Sequence, residues 1–253
     1  MAEARAAVRE MVATLDDRWT RLISAEELAL TAGRYIDAGS ADASDGVELL
    51  TADTTGGRKL ALLRVARISK GTPGRVRAAL AGLSTPPDEL WIDLRGNLGG
   101  SFSAAVEIAG IFLAREQRIV AVRRRNGPLE VFNALEDGNT EMPLHLLVDR
   151  NTASAAEVLV GALRDNDRAD LRGERTYGKG VIQTVVKLSD GSALEVTVAR
   201  YETPSGRSIN KSGFEPDVQL SSCAAQLPAS ESTSRAEAER GLVLSVRESS
   251  SAK

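Results

Sequence analysis

Hydrophobic positions along the chain change period as it proceeds, and each period names an element. In residues 4–15, Val8, Met11, Val12 and Leu15 recur at i, i+3, i+4 and i+7, which predicts one amphipathic helix. Ser24-Ala-Glu-Glu27 is a capping-box pattern, with Ile23 and Leu28 placed as a hydrophobic staple, so a second helix is expected from about Ala25 to Gly33. Residues 38–58 hold few large apolar groups and many Ala, Ser, Asp, Thr and Gly, and read as a linker.

From Lys59 strands and helices alternate. Residues 60–68 are strand-like, and 73–83 carry Val76, Ala79, Leu80 and Leu83 at helical spacing behind Pro73, a first-turn residue. A short buried strand is predicted at 89–94 and a helix at 101–114, with Val106, Ala109 and Leu113 on one face. Strands are expected near 118–123, 128–134 and 143–148, a helix at 155–164, and long strands at 181–188 and 193–201. This alternation predicts an α/β layer architecture. The proposed organisation is an N-terminal helical segment (1–37), the linker (38–58), a core (59–222) and a disordered tail (223–253) rich in Ser, Ala and Glu.

Composition then removes whole classes of chemistry. Apolar residues are 42% and charged residues 26% of the 253, so a packed core is expected. A net charge of −3 argues against nucleic acid as a partner. One cysteine, Cys223, excludes an internal disulfide and a cysteine metal cluster. One histidine, His145, lies in an apolar run and reads as a satisfied core residue, which leaves neither a zinc ligand set nor a Ser–His–Asp triad. No metal or other cofactor is expected. No apolar run is long enough to span a membrane, and the first residues lack the apolar stretch of a signal peptide.

Three segments remain. Asn151-Thr-Ala-Ser-Ala-Ala-Glu157 joins a strand to a helix, where a serine projects from the sheet edge beside outward N–H groups. Ser154-x-x-Glu157 is also a capping box, so on this segment alone the stronger reading of Ser154 is a helix cap. In Thr176-Tyr-Gly-Lys-Gly-Val-Ile-Gln183, flanking glycines let the Lys179 backbone approach other chain closely. A lysine base near neutral pH must fall from roughly 10.4 to about 7, on the order of 4–5 kcal/mol, which takes burial. The plainer reading is a surface turn lysine. Asp93-Leu-Arg-Gly-Asn-Leu-Gly-Gly100 is a glycine-rich loop able to offer bare N–H groups to an oxygen, and it matches no nucleotide fingerprint.

Taken together, these segments resemble the carboxyl-terminal processing peptidases, or tail-specific proteases. The likeness is carried by Leu90-Trp-Ile-Asp-Leu-Arg-Gly-Asn-Leu-Gly-Gly100, Thr152-Ala-Ser-Ala-Ala-Glu157, Gly173-Glu-Arg-Thr-Tyr-Gly-Lys-Gly180, Leu188-Ser-Asp-Gly-Ser-Ala-Leu194, Ala199-Arg-Tyr-Glu-Thr-Pro-Ser-Gly-Arg207 and Glu215-Pro-Asp217. It spans about residues 59–220 and extends more weakly to Thr14-Leu-Asp-Asp-Arg-Trp-Thr20. The look is closest to members that mature a photosystem II reaction-centre precursor.

The resemblance implies a crotonase- and Clp-like α/β core carrying a serine endopeptidase. Ser154 matches the nucleophile, Lys179 the general base, Gln183 a residue that orients the lysine, and Glu157 a polar neighbour. The oxyanion hole would combine the N–H of Ala155 with one from Gly99 or Gly100. The implied partner is a polypeptide with an extended C-terminal tail, and the implied compartment a thylakoid lumen or bacterial periplasm. Oligomeric state is not legible. One departure is large: the PDZ domain that normally sits between the N-terminal helices and the core has only residues 38–58 to occupy. The alternative is a non-catalytic binding or assembly module on the same scaffold.

Overall fold

The computed structural model describes residues 2–29, 46–53 and 57–220. Two sheets and a helical layer make up the molecule. The larger sheet contains β2 (Val47–Asp53), β3 (Lys59–Val65), β4 (Glu89–Asp93), β7 (Leu144–Val148), β8 (Asp170–Gly173) and β11 (Val218–Gln219). Its order is β11-β8-β7-β4-β3-β2, parallel throughout except for the antiparallel edge strand β2. The smaller sheet has the order β1-β10-β5-β6, with β9 also paired to β10. Its strands are β1 (Arg21–Ile23), β5 (Arg118–Arg124), β6 (Leu129–Asn133), β9 (Val181–Lys187) and β10 (Ala193–Glu202).

Four helices have described bounds: α1 (Ala2–Ala13), α2 (Thr72–Ala81), α3 (Phe102–Gly110) and α4 (Ala155–Asp165). Residues 25–29 are also helical, as the capping box predicts, with the Glu27 N–H donating to Ser24 Oγ at 3.0 Å. The core follows the period-2 pattern of the large sheet. Ala61, Leu63, Val65, Leu90, Ile92, Leu144, Leu146 and Val148 point to one face. That face meets Ile108, Ala109, Leu159 and Leu163 of α3 and α4, and the cluster continues to Val120 and Val122 of β5 and Tyr201 of β10. Leu60, Leu62, Trp91 and Leu147 form a second cluster on the opposite face.

The expected linker is corrected in part. Val47–Asp53 pairs with β3 residue by residue, from Val47↔Val65 to Asp53↔Lys59. Apart from Val47, Leu49 and Leu50 its residues are small or polar, and none is fully buried, because an edge strand needs one neighbour and little core, so its pattern is faint. The end of the second predicted helix, most of the rest of the linker, Cys223 and the 223–253 tail lie outside the described residues. Helix α3 ends four residues early, yet Phe112 and Leu113 remain fully buried in the turn that comes after it. The short strands β1 and β8 carry too few apolar residues to stand out of the sequence. His145 is half-buried on β7, hydrogen-bonded through Nδ1 to Asp170, and is not a core residue.

This topology gathers the chemistry. The chain leaves the carboxyl ends of β3, β4 and β7, three neighbours in the parallel sheet, through the loops containing Ala66–Ser69, Arg95–Ser101 and Asp149–Ser154. Ligand sites of open parallel sheets lie at such an edge.

Candidate active site

Asn97 ties the three loops together. It is fully buried, and its Nδ2 donates to Val65 O at 2.7 Å at the end of β3. Its Oδ1 accepts from Gly99 N at 2.8 Å, and its carbonyl accepts from Ala153 N at 2.9 Å. Thr152 Oγ1 adds a bond to Leu94 O at 2.9 Å. A buried polar group satisfied on every side is a rigid strut.

The serine loop and the glycine loop press together as a result. A Cβ on Gly99 (φ +92°) would sit 2.6 Å from Ala153 O and 2.8 Å from Ala155 N, and one on Gly100 (φ +139°) 2.0 Å from Ile68 O. Only glycine fits either position. The Gly99 N–H is taken by Asn97, whereas Gly100 N and Ala155 N have no acceptor among the described residues.

Ser154 caps α4 with φ +57° and ψ −121°, a region that costs a side chain of this kind about 1–3 kcal/mol. The first turn closes on its carbonyl, which accepts from Glu157 N at 2.8 Å. The Ser154 side chain lies beside the phenol of Tyr201, a β10 residue only 5% exposed. Burial above all pushes the Tyr201 pKa up to about 12, so the phenol keeps its proton through the working range of pH.

Glu157 joins this loop to the one that carries the lysine. Its carboxylate is fully buried and accepts four hydrogen bonds. Oε1 takes Thr176 Oγ1 at 2.6 Å and Gly178 N at 2.8 Å, while Oε2 takes Lys179 N at 2.8 Å and Ser154 N at 3.0 Å. Burial raises its pKa above the usual carboxylate value, and these donors oppose the rise. Further bonds from Tyr177 N to Thr152 O (3.0 Å) and from Tyr201 N to Gly180 O (3.0 Å) hold the lysine loop between the two sheets.

A cavity of about 660 Å³ opens over these loops. Ser154, Lys179, Gln183, Gly99 and Gly100 line it, whereas Ala155 and Glu157 stand behind its wall. Four of its other residues, Arg18, Trp19, Arg21 and Tyr177, were not singled out as site residues by the sequence reading. Trp19 is the most consequential. Its ring centroid lies 5.0 Å from Lys179 Nζ and 5.8 Å from the Tyr177 ring. Gln183 Nε2 donates to its carbonyl at 2.5 Å, so Gln183 holds the residue whose ring faces the lysine. The signal for Trp19 was the weak N-terminal extension of the resemblance. Asn97 and Tyr201 lay inside recognised motifs, but only packing shows what they touch.

The model of peptidase family S41 matches residues 59–220, more than half the chain. The chain belongs to peptidase family S41. It is 46% identical over 167 residues to a chloroplastic C-terminal processing peptidase of Tetradesmus obliquus, covering 64% of this chain and 35% of that one. Identity to a carboxyl-terminal-processing protease of Synechocystis sp. is 43% over 166 residues, covering 65% and 39%. The chain thus spans little more than a third of these relatives' own length. Among solved structures, the photosystem II D1 C-terminal processing protease superposes with a TM-score of 0.68 at 29% identity, covering 87% of this chain and 82% of that one. The S41 match contains Ser154, Lys179, Gln183, Glu157 and Tyr201, while Arg18, Trp19 and Arg21 come from outside it. Among the described residues no group of His, Cys, Asp or Glu could hold a metal, and no helix is long and apolar enough to cross a membrane.

Proposed function

We propose that this S41 chain is a serine endopeptidase that cuts near the C-terminus of extended or unfolded polypeptides, with Ser154 as nucleophile and Lys179 as base. The observation that carries the reading is one cavity lined by both Ser154, strained at a helix N-terminus, and Lys179. Neutral Lys179 takes the Ser154 Oγ proton as Oγ bonds to the scissile carbonyl carbon. Negative charge then builds on the carbonyl oxygen. The N–H groups of Ala155 and Gly100, which have no other acceptor among the described residues, suit that oxygen, whereas Gly99 N is engaged by Asn97. The lysine ammonium returns the proton to the leaving amine nitrogen as the C–N bond breaks. Water then hydrolyses the acyl-enzyme by the same route.

The remaining groups act on these two. Tyr201 positions the serine hydroxyl, Glu157 sets the lysine loop against the serine loop, and Gln183 with Trp19 covers the lysine. With Val47–Asp53 built into the large sheet, the interval before the core has less room still for an interposed carboxylate-capturing domain. A chloroplast lumen or bacterial periplasm is the compartment this reading implies. A serine-directed fluorophosphonate tests the central claim. Wild type should be labelled on Ser154 and should cleave an unfolded tailed substrate, and Ser154→Ala should do neither. A chain that is not labelled and cleaves nothing is the non-catalytic module.

A further inference from the structure

The cavity carries more positive charge than the proposed chemistry uses. Arg18, Arg21, Arg67 and Lys179 line it, and the lone carboxylate on its wall among the described residues is Glu195. Arg21 is matched already, with Nε 3.0 Å from Glu195 and a second ion pair to Glu27. Arg18 and Arg67 differ, for neither is ion-paired with a carboxylate among the described residues.

The two occupy different places. Arg18 is exposed and stacks on Trp19, its guanidinium carbon 4.3 Å from the ring centroid, on the lysine side of the site. Arg67 is half-buried and directly precedes Ile68, whose N–H donates to Gly99 O at 3.2 Å and whose carbonyl accepts from Ser101 N at 2.8 Å. Its backbone is therefore zipped to the loop that meets the reacting carbonyl. A guanidinium partly removed from water, with no counter-charge, favours a ligand that brings one. Its planar fork suits a carboxylate bonded through both oxygens. Arg18, open to solvent and salt, discriminates less.

We infer that Arg67 selects substrates carrying a carboxylate close to the scissile bond. The inference rests on the peptidase reading and names the class of peptide that reading leaves open. Two sources supply the group: an Asp or Glu side chain beside the cleaved bond, or the free α-carboxylate of a short tail.

The test is a set of otherwise identical peptides: Glu against Gln at the positions flanking the cleaved bond, and free acid against C-terminal amide. Each pair is compared by kcat/KM at low and high ionic strength, with products identified by mass. The expected result is that one carboxylate-bearing member outpaces its neutral twin by about tenfold or more, with an advantage that shrinks in salt. The pair that shows it identifies the source. Arg67→Gln should bring that ratio close to one, Arg67→Lys should leave an intermediate ratio, and Arg18→Gln should keep most of it. Should Arg67→Gln not fold, the lysine variant, which keeps the charge but loses the fork, carries the comparison. Equal rates within every pair, or a ratio that survives loss of the Arg67 fork, overturns the inference while leaving the peptidase standing. A wild type that cleaves no peptide and takes no serine probe overturns both.

Discussion

Glu157→Gln removes one acceptor oxygen from a buried carboxylate that takes four donors, and puts an NH2 group in its place. Turned toward Oε2, the NH2 faces the N–H groups of Lys179 and Ser154, leaving two donors opposed. Turned toward Oε1, it faces Gly178 N–H and the Thr176 hydroxyl. That hydroxyl already accepts from Phe214 N at 2.8 Å, so it relieves the conflict only in part. The better orientation strands one buried N–H, at about 1–3 kcal/mol, and weakens the bonds that lose their charge assistance. Against this, the ionised carboxylate bears the desolvation that raises its pKa, which an amide escapes. A net loss of about 1–3 kcal/mol in unfolding free energy is expected, measured by urea titration at neutral pH. The strain falls on the backbone of Lys179 and Ser154 themselves, and a misplacement near 1 Å there is worth about a hundredfold in kcat/KM. A Glu157→Gln protein within about 0.5 kcal/mol and twofold of wild type would refute the view that this carboxylate joins the two loops.

Lys179→Arg and Lys179→Ala should each abolish turnover, and the double mutant with Ser154→Ala should be no worse than either single, because the pair acts as one unit and a guanidinium does not deprotonate in this range. Measurable cleavage by the arginine variant, in single-turnover assays, would remove the lysine from the role of base. Tyr201 contributes a stability term with a defined sign. Its folded pKa of about 12 exceeds the unfolded value near 10, so the stabilisation is complete below pH 10 and is lost as pH rises toward 12, about 2–3 kcal/mol in all. Urea midpoints across that window should fall in wild type and stay flatter in Tyr201→Phe, which should also lower kcat more than it raises KM by freeing the serine hydroxyl. Gly100→Ala forces a Cβ to within 2.0 Å of Ile68 O at φ +139°, so a drop in Tm together with loss of fluorophosphonate labelling is expected. A fully labelled, equally stable Gly100→Ala protein would show that the loop need not hold this shape.

How much could be read in the chain depended on how local the cause was. Long elements with large apolar residues, such as α4 and β10, appear in the sequence at nearly their observed bounds, because period and burial there are the same fact, whereas β3 ends at Val65, three residues before its apolar run does. Strand β2 does not, since its residues become a strand only by pairing with β3. Ser154 illustrates the same limit within the site. Its segment is a capping box by pattern, and Glu157 does take its N–H, but the side chain also lies beside Tyr201, 47 positions away in the chain.

By itself, then, the sequence determined the α/β class, a chemistry with one cysteine and one histidine, and the family likeness carried by its motifs, from which the proposal for Ser154 and Lys179 comes. Tertiary structure alone decided that Asn97 clamps three loops, that Gly99 lends its N–H to that clamp, and that Glu157 reaches across to Lys179. It also decided that β1 pairs with β10, which carries Trp19 from outside the family match to the lysine. The reason is physical. A helix or strand arises from neighbours within a few positions, whereas a site is made of hydrogen bonds between groups that only folding brings within 3 Å.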